Sequence, residues 1–210
     1  MKLRYLSIFA AIVLCSVPTF ADAVGDSPFQ VRYASNLPIG DSVVNISNTG
    51  AYSTTAFPTQ NGNICVNVYT FSPDEQLISC CACRVTPDGL VSLSARNDLI
   101  SNTLTPGVPT SIVIKLLATE AGTGACNASS AGVAETGTGM AAWGTTIHAL
   151  PVTPGSPATT YGETETPFTN ATLSGAELRR ITTLCGFIQG NGSGFGICKS
   201  CRFGGLSNTQ

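Results

Sequence analysis

Eight cysteines constrain this chain more than any other feature. The sequence holds nine, and Cys15 falls inside an N-terminal segment that reads as a secretory signal over residues 1–23. Lys2 and Arg4 precede an apolar run from Tyr5 to Val17, Pro18 breaks the run, and Ala21-Asp22-Ala23 offers the small residues a signal peptidase accepts. The run is too short to span a bilayer as a helix. Leu14 stands where a lipoprotein signal would place a small residue before its cysteine. Removing the signal leaves Cys65, Cys80, Cys81, Cys83, Cys126, Cys185, Cys198 and Cys201. An even number of cysteines in an exported chain of this size predicts four disulfides. Eight cysteines allow 105 pairings, so the connectivity stays open. On a strand, Cys81 and Cys83 face one side and Cys80 the other, so the neighbours Cys80 and Cys81 need different partners.

Charge agrees with an exported setting. Charged residues are 10% of the chain, against about 25% in ordinary globular domains. The net charge of -2 becomes about -3 once Lys2, Arg4 and Asp22 leave with the signal. Such a surface draws in neither nucleic acid nor anionic lipid. After the signal, no segment is apolar and long enough to cross a membrane.

Residues 24–210 read as a single domain, mainly β: a sandwich-like antiparallel fold with long loops and one C-terminal helix, stapled by disulfides. Phe29-Gln30-Val31-Arg32-Tyr33 alternates apolar and polar residues as a half-buried strand does. Strands follow at Val43–Ile46, Ile64–Tyr69, Gln76–Val85, Leu90–Leu93 and Ile112–Leu117, separated by Asn61-Gly62-Asn63, Ser72-Pro73-Asp74-Glu75 and Pro87-Asp88-Gly89. Thr119 to Ala142 reads as a long surface loop that Cys126 pins, Trp143 to Leu150 as a strand, and Pro151 to Pro167 as a second loop. Ser174-Gly175-Ala176-Glu177 fits a capping box. Leu178, Ile181, Leu184, Cys185 and Ile188 recur at helical spacing behind it, which predicts a helix over about 175–189, stopped at Gly190.

Each chemical constellation has a plain structural alternative. Cys80-Cys81-Ala82-Cys83 and Cys198-Lys199-Ser200-Cys201 could supply four thiolates to zinc, but exported thiols oxidise first. A thiol-exchange CxxC belongs at a helix N-terminus, whereas this one follows the helix and precedes Phe203-Gly204-Gly205. Structural disulfides are the favoured reading. No CxxCH is present to attach haem. His148 is the sole histidine; it excludes two-histidine metal motifs and is the single candidate base for a Ser-His-Asp or Cys-His arrangement, though a structural or surface role is the favoured reading. Asn191 breaks the GxSxG pattern around Ser193. Gly190 to Gly196 follows a helix and lacks GxGxxG, so it reads as a turn rather than a phosphate loop. Asp26, Asp41, Asp74, Asp88 and Asp98 are scattered singly among turn residues, and Glu163 and Glu165 fall in the second loop. No calcium-loop spacing occurs. Asn45, Asn127, Asn170 and Asn191 open N-x-Ser/Thr triplets of the kind chance supplies in a Ser/Thr-rich chain.

Ser35-Asn36-Leu37-Pro38-Ile39-Gly40-Asp41-Ser42, Ile64-Cys65-Val66-Asn67-Val68-Tyr69, Asn97-Asp98-Leu99-Ile100-Ser101-Asn102 and the Cys198 motif resemble segments of exported, Cys-rich bacterial proteins of unknown function. The resemblance implies a bacterial envelope or extracellular setting and carries no activity. The expectation is therefore a non-enzymatic structural or binding module of the cell envelope or extracellular space, with no catalytic residue, cofactor or metal assigned. Its partner would be an envelope or extracellular protein or a glycan. A secreted hydrolase on a β-sandwich, using His148 or a carboxylate pair, is the second reading. A thiol-redox or metal-binding module is the third.

Overall fold

Alternating apolar residues become strands that bury one side against a second sheet. The computed structural model describes residues 27–51, 62–100, 107–122, 125–132, 136–150, 161–191 and 198–202. The expected signal and most of the 190–196 glycine run lie outside these. The strands are β1 (Phe29–Ser35), β2 (Val43–Asn48), β3 (Ile64–Phe71), β4 (Leu77–Val85), β5 (Leu90–Ser94), β6 (Ser111–Glu120), β7 (Met140–Ala149), β8 (Tyr161–Pro167) and β9 (Thr169–Asn170). One sheet has the order β4-β3-β6-β1-β9 and the other β5-β2-β7-β8; every pairing is antiparallel. The mainly β, disulfide-stapled architecture read from the sequence is thus the one observed.

The two sheets share an inner core. Val66, Val68, Ile112, Ile114 and Leu116 of the larger sheet face Val44, Ile46, Val91 and Leu93 of the smaller, all buried. Buried amides bridge the layers: Asn48 Nδ2 donates to the carbonyls of Gly62 and Val85, both at 2.9 Å, and Gln30 Nε2 to that of Met140 at 2.9 Å. The larger sheet carries a second core on its outer face, where helix α1 (Gly175–Gly190) lays Leu178, Ile181, Cys185 and Ile188 over Phe29, Tyr69 and Leu117. β3 is buried at all eight positions because both of its faces are covered. Burial also raises the pKa of the Tyr69 phenol, which donates to the Ala128 carbonyl at 2.7 Å.

Three expectations need correction. Pro151–Pro167 is not all loop, since Tyr161–Pro167 forms β8 on β7. Its side chains are almost all exposed, so it is an edge strand held by backbone hydrogen bonds, with no apolar face for the sequence to reveal. Thr119–Ala142 is not all surface loop. β6 runs to Glu120, β7 starts at Met140, Thr119 bridges to Thr136, and Cys126 and Ala128 are buried. The capping box forms by half: Ser174 Oγ accepts from Glu177 N at 3.1 Å, but the Glu177 carboxylate turns to Lys115 at 3.1 Å and Arg180 at 3.5 Å.

Candidate functional site

The cysteines resolve into two systems on opposite faces of the larger sheet. Cys65–Cys126 and Cys80–Cys185 lie on the outer face and tie the 125–132 segment and α1 to β3 and β4. Cys81–Cys198 and Cys83–Cys201 lie on the inner face and fasten the CxxC turn, a single 3-10 turn over Lys199–Arg202, against β4. The Cα separations run from 5.0 to 5.8 Å, in the usual disulfide range. Strand alternation thus sends the neighbours Cys80 and Cys81 to opposite faces and different partners. Asp98, read from the sequence as a turn residue, fixes this turn. Its carboxylate accepts from Ser200 N at 2.7 Å, Ser200 Oγ at 2.6 Å and Ser94 N at 2.8 Å. Asp41 accepts from Arg96 N at 3.0 Å and from the Ser94 hydroxyl. Ser94 caps the π-helical turn Ala95–Leu99, its Oγ accepting from Asn97 N at 2.9 Å, and both acids hold Ser94 in place; the sequence pattern did not show this turn.

His148 sits on β7 with Nε2 2.7 Å from Thr164 Oγ1 of β8. Among the described residues no carboxylate hydrogen-bonds its other ring nitrogen. Glu163 and Glu165 alternate to the opposite side of β8, where Glu165 accepts from Thr145 Oγ1 at 3.4 Å. A hydroxyl and an imidazole therefore meet, without the acid that would orient a base. Asp74 and Asp88 lie in turns, and Asp88 has φ 58°. Asn127, Asn170 and Asn191 are exposed, while Asn45 is half-buried and accepts from Ser92 Oγ at 2.6 Å.

A groove of about 450 Å³ lies open beside the start of α1. Its floor is a cross-strand row, Tyr33 and Phe71 each opposite Val113 of β6. Phe71 is buried in the outer-face core and Val113 is half-buried against it, but Tyr33 at the end of the row is 61% exposed. Lys115 lies 4.5 Å from the centroid of the Phe71 ring, a cation–π contact, and leads into the Glu177–Arg180 pair. Ser72, Pro73 and Glu75 of the β3–β4 turn form the opposite wall, where Glu75 takes φ 66°. Lys115, Arg180, Glu75 and Glu177 leave the rim with no net charge. Sequence reading placed Tyr33 on a strand but missed the groove, because alternation assigns a residue to a face without saying whether that face is covered.

A second anomaly lies between the sheets. Arg32 of β1 points inward and is 6% exposed. Its Nη2 donates to Thr146 Oγ1 at 2.8 Å and its Nε to Thr166 Oγ1 at 3.2 Å, while Nη1 is buried without a partner. Burial lowers its pKa, though a guanidinium stays charged in proteins. Among the described residues no carboxylate pairs with it. The guanidinium lies against Gly144, where a Cβ would collide with it.

The chain matches no protein-family model, no curated protein and no solved structure.

Proposed function

We propose that this chain is an exported, non-enzymatic binding module of the cell envelope or extracellular space, and that the groove beside α1 seats a neutral stretch of glycan. The observation that carries the reading is the groove's composition. An exposed aromatic ring offers a flat apolar face to sugar C–H groups, and a charged but neutral-sum rim offers hydroxyls both donors and acceptors. A rim of zero net charge favours neither a polyanion nor a polycation. Four disulfides and the signal-like N-terminus support an oxidising compartment. No helix among the described residues is long and apolar enough to cross a membrane.

The test is calorimetric titration with cello-, chito- and manno-oligosaccharides. At least one series is expected to bind, and Tyr33→Ala should weaken it by about tenfold, equivalent to about 1.4 kcal/mol. Binding left intact by both Tyr33→Ala and Arg180→Ala would put the ligand elsewhere, and no binding in any series would count against a glycan. The contact between His148 and Thr164 favours one second reading, a hydrolase. Ester, peptide or glycoside hydrolysis that vanished in His148→Ala, with circular dichroism unchanged, would put it in place of the binding reading.

A further inference from the structure

The inner-face sulfurs form a cluster rather than two isolated bonds. The Sγ atoms of Cys83, Cys198 and Cys201 all lie within 4.8 Å of one another, and all three residues are buried. Cys81, on the same face of β4, is bonded to Cys198 and so adjoins the same cluster. Four thiolates bound tetrahedrally to zinc at about 2.3 Å stand about 3.8 Å apart, inside the limit that holds these three sulfurs. The backbone of the clip is also held by contacts other than the sulfur–sulfur bonds. Asp98 accepts two hydrogen bonds from Ser200, Cys198 N donates to the Ala82 carbonyl at 3.4 Å, and Cys201 N to the Cys198 carbonyl at 3.0 Å. The other four described cysteines lie on the outer face of the sheet, in two separate pairs.

We propose that in the reduced chain Cys81, Cys83, Cys198 and Cys201 bind one Zn²⁺. The same clip then has two closures, a metal in reducing surroundings and two disulfides in oxidising ones. Each disulfide takes two electrons and two protons from a dithiol reductant, which leaves as its own disulfide. Zinc then displaces the four thiol protons and is held by sulfur alone.

Cobalt, which reports tetrahedral thiolate coordination by its visible absorption, provides the test. The chain from residue 24 onward is reduced with dithiothreitol, desalted under argon and titrated with Co²⁺. One equivalent is expected to give a four-thiolate spectrum that one equivalent of Zn²⁺ abolishes. Zn²⁺ should also raise the thermal midpoint of the reduced protein. Cys65→Ser/Cys126→Ser should keep this stoichiometry, whereas Cys198→Ser/Cys201→Ser should lose at least a hundredfold in affinity. Equal binding by the two variants would mean that any four thiols scavenge the metal, and would overturn the proposal. The absence of a thiolate–cobalt spectrum in the unsubstituted chain would overturn it as well.

Discussion

Arg32 is a buried charge with no counter-charge among the described residues. Effective desolvation penalties for such groups run to several kcal/mol, and two threonine hydroxyls repay only part of that. Arg32→Met, of similar length and apolar, should therefore stabilise the fold by about 1 kcal/mol, read as a rise in the urea midpoint. Gly144→Ala should destabilise it by about 1–3 kcal/mol, because its methyl displaces the guanidinium. Combining the two should recover most of that loss, since the clash needs both partners. Additive effects in the double variant would show that the guanidinium does not rest on Gly144. Arg32 was not legible as a buried charge from its pattern. Gln30, Arg32 and Ala34 share the inward face of β1, but alternation alone reads Arg32 as the polar, outward side of a half-buried strand beside Val31 and Tyr33.

At the scale of elements, legibility followed burial. Strands with one apolar face announced themselves, and α1 was readable from its cap and its Leu178–Ile188 spacing. Ser174→Ala should cost about 1 kcal/mol, checked by thermal melting, because it removes the acceptor for Glu177 N. No loss would mean that the cap contributes nothing. β8 was hidden because an edge strand of Thr and Glu has no period-two apolar signal. The turn at Ala95–Leu99 was hidden because one of its determinants, Asp41, reaches it from far along the chain, and Ser94 and Asp98 look like ordinary turn residues. The groove was hidden for a related reason: it exists where α1 stops short of Tyr33, and that gap belongs to the packing of two elements.

Across the whole molecule, the disulfides close separations of 61, 105, 117 and 118 residues. Each contributes about 2–4 kcal/mol, against a usual total stability of about 5–15 kcal/mol. Metal-free reduction should therefore lower the thermal midpoint sharply or abolish the transition, and an unchanged midpoint would refute the staple. Parity separated Cys80 from Cys81, but the full pairing needed three dimensions. The pairing has a further consequence for a chain exposed to proteases. Three of the bridges join Cys80, Cys81 and Cys83 to Cys185, Cys198 and Cys201, so a single cut anywhere between Cys83 and Cys185 leaves two fragments covalently joined. A nicked molecule would gain the mass of one water and run as intact until reduced.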